Sequence, residues 1–178
     1  MANIIFRKVE DGDFNQIAPL YHSYIDWHIS LDPNKYPGHI GKKLSPDELV
    51  DIFHGRKKGA DAYEVTQSIG SSNFYGWVAE NSDTKQILAF YLFKGNLEID
   101  PVATARISVL VDNNESEVVA ENLLVYCFSE LKKLGYIAVE ANMSKRMRVH
   151  SRLGFLKKYA QIITDPDDEG KVKYWRQL

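Results

Sequence analysis

The chain has 178 residues, 44% of them hydrophobic and 26% charged, a composition typical of a globular domain with its own core. Its 22 basic and 24 acidic residues give a formal net charge of −2, so the molecule has no overall field that would gather nucleic acid or an anionic membrane. The single cysteine excludes an internal disulfide, and no secretory signal or membrane-spanning apolar segment occurs. These features predict a soluble cytoplasmic protein.

The N-terminal part is predicted to form a strand followed by a long helix. Residues 3–9 are typical of a short strand, and Asp11-Gly12-Asp13 then turns the chain and supplies a helix N-cap. The helix is expected to run to about Ile29, with Pro19 bending it. Its apolar residues recur every three or four positions, which indicates one buried face.

A loop and a second helix are predicted next. Residues 31–44 contain prolines and glycines typical of a loop. Ser45 and Glu48 then form a capping box around Pro46, which predicts a helix that stops by Gly55. A weaker helical pattern covers residues 60–69.

The second half has a more regular pattern of strands and helices. The runs 74–80 and 87–93 predict a hairpin with a polar turn at 81–85. The remaining predicted elements are a strand at 105–112, a helix from the capping box at 114–117 to Gly135, a strand at 136–142, a basic helix at 144–153 and closing runs at 155–163 and 171–178. Strand, helix and strand in succession predict a right-handed parallel crossover, and we expect one α/β domain over residues 1–178.

This order of elements resembles the GNAT N-acetyltransferase family. Residues 107–136 are similar to that family's acetyl-CoA segment, in which a Leu-Leu pair, here Leu123-Leu124, precedes a Gly-Tyr pair, here Gly135-Tyr136. Residues 139–159 are similar to its closing segment, with Leu153-Gly154-Phe155 as the typical triplet. The resemblance implies an α/β (α+β) fold with a mixed, mostly antiparallel sheet flanked by helices.

The resemblance also implies acetyl-CoA as co-substrate and an amine of a small molecule or protein as acceptor. The thioester carbonyl would be polarised by backbone of the central strand, and the diphosphate would lie at the start of the following helix. The implied cofactor-binding residues are Val109, Leu110, Val111, Ser116, Glu117, Val118, Val119, Ala120 and Arg146.

The sequence departs from the family in its phosphate loop. The family's Arg/Gln-x-x-Gly-x-Gly/Ala motif corresponds to residues 115–120, of which only Ala120 fits, and no glycine occurs between Gly95 and Gly135. Glycine allows the backbone to approach a diphosphate closely. Residues 112–121 also hold four acidic side chains and no basic one, whereas 145–158 hold six basic side chains that face either water or phosphate.

Candidate chemistry falls on scattered residues. In many family members a tyrosine protonates the departing thiolate, and His150 occupies that position here; histidine can hold and release a proton near neutrality. Glu140 is a candidate base, as are His22, Asp26 and His28 on the first helix. His22 and Asp26 are four residues apart and share a helix face, so they are compatible with an ion pair, with a base and its orienting carboxylate, or with part of a metal site. The resemblance places Trp27, His28 and Tyr36 at the acceptor pocket. No zinc-binding motif occurs, and Cys127 is expected to pack as a small hydrophobe.

Two functional hypotheses follow. The first is an acetyl-CoA-dependent N-acetyltransferase with an atypical phosphate loop. The second is a catalytically inactive binding or regulatory protein of the same fold that has lost acetyl-CoA binding, which the missing glycines, Glu115 and Glu117 favour. Nucleic-acid binding through residues 145–158 is disfavoured by the net charge.

Overall fold

A computed structural model describes residues 3–31, 43–54, 73–110, 114–144, 159–162 and 171–178. The helices are α1 (Phe14–Leu31), α2 (Pro46–Phe53) and α3 (Asn114–Leu134). The strands are β1 (Ile4–Lys8), β2 (Asn73–Asn81), β3 (Ile87–Asn96), β4 (Asp100–Leu110), β5 (Ala138–Ser144), β6 (Gln161–Ile162) and β7 (Lys171–Gln177).

The strands form one seven-stranded sheet in the order β1-β2-β3-β4-β5-β7-β6. Every neighbouring pair is antiparallel except β4 and β5, which are parallel and are connected through α3. The predicted mixed, mostly antiparallel sheet with one parallel crossover is therefore confirmed. That residues 1–178 form a single domain stays a prediction.

The sheet is covered on both faces. On one face α3 packs against Trp77, Phe93 and their neighbours, and on the other α1 and α2 pack against Val78 and Phe90. Because successive residues of a strand point to opposite faces, a strand covered on both sides must be apolar almost throughout. This explains the unbroken hydrophobic runs in β2 and β3.

The start of α1 differs in detail from the prediction. A short 3-10 turn, Asp11–Asp13, precedes the helix, and the cap of that turn is Glu10. The Glu10 N–H donates to the Asp13 carboxylate at 2.8 Å, and the Asp13 N–H donates to the Glu10 carbonyl at 3.0 Å. The helix continues through Pro19 to Leu31, two residues beyond the predicted end near Ile29.

The predicted capping box of α2 is confirmed. The Ser45 N–H donates to the Glu48 carboxylate at 2.9 Å, and the Glu48 N–H donates to the Ser45 hydroxyl at 3.2 Å. Pro46 is the first helical residue, and the helix ends at Phe53, within the predicted limit. The weaker helical pattern at 60–69 lies outside the described residues.

The β2–β3 hairpin is confirmed, but β4 begins five residues earlier than predicted. A tight turn follows β3, in which the Asn96 side chain accepts from the Glu98 N–H at 3.0 Å and the Asn96 carbonyl accepts from the Ile99 N–H at 3.0 Å. The chain therefore re-enters the sheet at Asp100. Pro101 is tolerated because it is only the second residue of the strand.

Helix α3 ends at Leu134, and the glycine predicted to end it, Gly135, caps it. Gly135 has a φ of +105°, its N–H donates to the Lys132 carbonyl at 3.0 Å, and the Tyr136 N–H donates to the Leu131 carbonyl at 3.1 Å, which is a Schellman cap. Strand β5 then runs to Ser144, where the basic helix was predicted to begin; the rest of that helix lies outside the described residues.

Within the described ranges, no helix combines the length and apolar character needed to cross a membrane.

Candidate active site

The parallel strands β4 and β5 separate after a short ladder. They pair only through Val102 with Ala138, Ala103 with Val139 and Thr104 with Glu140. Strand β4 nevertheless continues to Leu110 and β5 to Ser144, and among the described residues no further pair joins them. We call the opening beyond Thr104 and Glu140 the fork. Its two inner edges present backbone N–H and C=O groups that no described strand pairs with.

A β-bulge explains the fork. In the β3–β4 ladder Phe93 pairs with Ala105 and Leu92 with Ile107, which leaves Arg106 of β4 as an extra residue. A bulge bends its strand and increases the local twist. This one follows the last β4–β5 pair almost directly, so β4 turns away from β5 there.

The arms of the fork are held by their outer neighbours. Beyond the bulge, β4 stays paired with β3 as far as Leu110, and β5 pairs with β7 along its whole length from Ala138 to Ser144. The opening is therefore a property of the sheet and does not come from fraying of strand ends.

The start of α3 lies beside the open end of the fork, because β4 ends at Leu110 and α3 begins at Asn114. The first N–H groups of a helix, here those of about residues 114–116, have no carbonyl partner in the helix and carry the positive end of its dipole. Strand edges that pair with no further described strand, together with amides that have no partner within the helix, suit a ligand with an extended amide chain and a terminal diphosphate.

Glu140 lies at the apex of the fork. Thr104 donates its hydroxyl to Glu140 Oε1 at 3.3 Å, and Lys173 Nζ contacts Glu140 Oε2. The Glu140 side chain is 22% exposed, so the carboxylate is oriented by the sheet and still reaches solvent. Lys173 was not singled out from the sequence, because it becomes a neighbour of Glu140 only through the pairing of β5 with β7.

Solved structures that are similar to this chain over almost its whole length include acetyltransferases. The PaiA N-acetyltransferase from Thermoplasma acidophilum, in complex with coenzyme A, matches over 99% of both chains with a TM-score of 0.67 and 16% identity. An acetyltransferase of the GNAT family from Staphylococcus aureus matches over 99% of both chains with a TM-score of 0.63 and 9% identity. Aminoglycoside 6′-acetyltransferase type Ii matches over 97% of this chain and 96% of its own, with a TM-score of 0.58 and 13% identity.

The chain has the GNAT fold. Neither protein-family models nor curated protein sequences gave a match. The resemblance that the sequence shows is thus confirmed at the level of the fold.

The residues that the sequence resemblance aligns with the family's phosphate loop are helical. These residues, 115–120, all lie within α3. Ser116 belongs to the first turn and Glu117 directly follows it. The side chain of Val118 is 61% exposed, that of Val119 packs partly against the core and that of Ala120 is buried in it. The N–H groups of Val118, Val119 and Ala120 donate within the helix, so the amides that lack a partner in the helix precede most of the predicted set.

The structure describes only some of the other predicted site residues. Val109 and Leu110 lie on the β4 arm of the fork, and Trp27 and His28 lie in α1. The positions outside the described residues are Tyr36, Val111, Arg146 and His150. Among the predicted site residues that the structure describes, Glu140, Val109 and Leu110 lie at the fork, and the roles of the whole set stay predictions.

The alternative base candidates on α1 have separate contacts. His22 Nε2 lies 2.8 Å from the Leu44 carbonyl, and Asp26 accepts from Lys43 Nζ at 2.7 Å. Both side chains thus contact the segment before α2. Within the described residues, no three His, Cys, Asp or Glu side chains form a cluster that could hold a metal ion.

Cys127 is fully buried between α3 and the sheet, which confirms its packing role, and burial raises the pKa of its thiol well above the usual range.

Proposed function

We propose that this protein is an acetyl-CoA-dependent N-acetyltransferase that acts on an amine of a small molecule or protein. The fork supports the proposal most directly, because it opens toward the start of α3 in a chain that matches a coenzyme A complex over 99% of both lengths. A cytoplasmic location stays part of the proposal on sequence evidence alone.

Backbone N–H groups would bind acetyl-CoA at two places, its charged diphosphate and its thioester carbonyl. The first-turn amides of α3 would bind the diphosphate, aided by the helix dipole. The free edge of β4 near Val109 and Leu110 would hold the pantetheine arm as an added strand, and an N–H there would polarise the thioester carbonyl. In the transfer, the amine nitrogen forms a bond to the acetyl carbon, and the carbon–sulfur bond breaks.

Glu140 is the described residue best placed to handle the acceptor's proton. Its carboxylate lies at the apex, where the pairing of β4 with β5 stops and the acyl group would begin. It can bind an ammonium and accept its proton, directly or through water. The thiolate that leaves needs a proton in return, and His150 is the proposed donor from the sequence resemblance.

The rival function is a binding or regulatory protein of the same fold without acetyl-CoA. It is favoured by the acidic stretch 112–121, whose charges would repel a diphosphate. The missing glycine at Val118 argues less strongly for the rival, because Val118 lies in the second turn of α3, beyond the free amides. The negative charges of residues 112–121 therefore argue for the rival function more strongly than the bulk of the Val118 side chain does.

Acetyl-CoA binding separates the two functions. At about 100 times its Kd, acetyl-CoA should stabilise the native state by about 2.7 kcal/mol, which raises the Tm by roughly 5 to 10 °C for a chain of this size. Differential scanning fluorimetry with acetyl-CoA, and with acetate as a control that lacks the diphosphate, measures this. An unchanged Tm at every acetyl-CoA concentration would favour the rival function.

Replacing Glu117 with glutamine should tighten acetyl-CoA binding about two- to five-fold, because it removes one negative charge beside the helix start. The gain should shrink in high salt. Glu98→Gln is the matched control, since Glu98 is exposed in the β3–β4 turn at the end of the sheet away from the fork. Equal Kd values for both variants would show that the diphosphate does not lie at the start of α3.

A further inference from the structure

The carboxylate at the apex of the fork has a cation as its immediate neighbour. Lys173 Nζ contacts Glu140 Oε2, while Thr104 donates to the other oxygen. The two charged side chains are 36% and 22% exposed, so both reach solvent. A ligand at the apex therefore meets the Glu140 carboxylate as part of an ion pair with Lys173, and not as a bare carboxylate.

The pair lies on the face of the sheet opposite α3. In the β5–β7 register Glu140 faces Trp175, and Lys173 lies two residues before Trp175 in β7, so their three side chains share one face. Their neighbours Val139 and Tyr174 are buried on the other side. Trp175 is half-buried and borders the pair with an aromatic surface. An acceptor that approaches Glu140 therefore meets Lys173 as well.

The charges at the apex favour one class of amine over another. A plain amine that binds Glu140 displaces the Lys173 ammonium and separates that charge from the Glu140 carboxylate, which costs free energy in a partly desolvated site. An amine that carries its own acidic group exchanges partners instead. Its ammonium binds Glu140, its acidic group binds Lys173, and every charge stays paired.

We infer that Lys173 selects acceptors in which a carboxylate or a phosphate lies close to the reactive amine. This inference rests on the proposed function, because it assumes that the amine binds at Glu140 for transfer. It makes Lys173 a specificity residue for the acceptor and assigns it no part in binding acetyl-CoA.

Matched acceptor pairs test the inference. Coenzyme A release is measured with L-lysine against cadaverine, L-tyrosine against tyramine, and O-phosphoethanolamine against ethanolamine, where the first two pairs report on a carboxylate and the third on a phosphate. For the carboxylate pairs or for the phosphate pair, the wild type should give a kcat/KM at least about ten-fold higher for the acidic member than for the plain amine. Lys173→Met should lower that value about 10- to 100-fold and change the plain amine less than three-fold, whereas Lys173→Arg should keep the preference.

Two controls separate a specific loss from a damaged fold. Lys132→Met removes an exposed lysine near the C-terminal end of α3 and should leave both members of each pair unchanged. The stabilisation by acetyl-CoA should be equal in the wild type and in Lys173→Met.

A wild type that prefers the plain amines would overturn the inference, as would an equal loss for both members in Lys173→Met. Acetylation of plain amines would then still support the proposed function. If acetyl-CoA neither binds nor is consumed, both the proposed function and the inference fail.

Discussion

Replacing Arg7 with methionine should lower the free energy of unfolding by about 3 kcal/mol or more. Arg7 donates through Nη1 and Nη2 to the two Asp13 carboxylate oxygens at 2.7 and 2.8 Å, and through Nε to Glu80 at 2.7 Å. The side chains of Asp13 and Glu80 are only 11% and 6% exposed. Methionine keeps an apolar chain in place but leaves two buried carboxylates without this cation.

Urea unfolding at neutral pH measures the loss, and Lys85→Met is its control. Lys85 also contacts Glu80, at 3.2 Å, but its side chain is 72% exposed, so water screens the pair. Its removal should cost less than about 1 kcal/mol. Equal losses for the two variants would contradict a special role for Arg7.

The pH dependence gives this prediction a second check. The hydrogen bonds from Arg7 hold the pKa of Glu80 below its ordinary value of 4.5. A lowered pKa contributes stability that is complete above the ordinary value and disappears as the pH falls through the lower value of the folded protein. Protonated carboxyls need no cation, so the difference between wild type and Arg7→Met should shrink below about pH 4.5. A difference that stays constant there would mean that the loss is not electrostatic.

Features set by neighbouring residues were predictable from the sequence. The capping box of α2 needs only Ser45 and Glu48, and the end of α3 needs only a glycine that can adopt a positive φ. The β2–β3 hairpin was predictable because both strands are rich in aromatic and β-branched residues and a polar turn separates them.

Features set by register were not predictable. The fork depends on one extra residue, Arg106, in the β3–β4 ladder, and no local pattern marks it. The contact between Glu140 and Lys173 depends on how β5 pairs with β7. The early start of β4 depends on the side chain of Asn96 closing a tight turn, where the sequence pattern favoured a longer loop. The fold was therefore accessible from local signals, while the candidate site arises from long-range pairing.

The other large loss of stability is expected for Gly95→Ala. A Cβ at Gly95 in β3 would lie 2.4 Å from the Tyr136 hydroxyl and 2.6 Å from two of its ring carbons, far inside van der Waals contact. Tyr136 is 1% exposed and donates its hydroxyl to Tyr75 at 3.1 Å, so the ring cannot move aside without breaking this contact. We expect the free energy of unfolding to fall by about 2 to 3 kcal/mol.

Gly12→Ala is the matched control, because no heavy atom lies within 4 Å of a Cβ placed at Gly12. Urea unfolding of both variants should show a lower free energy of unfolding for Gly95→Ala and almost no change for Gly12→Ala.

A smaller residue at Tyr136 should relieve the overlap, so the loss from Gly95→Ala should be smaller in a Tyr136→Leu background. An unchanged loss there would show that something other than Tyr136 occupies the space. Because Tyr136 directly follows the cap of α3, this contact also fixes where the helix ends against the sheet, opposite its start beside the fork.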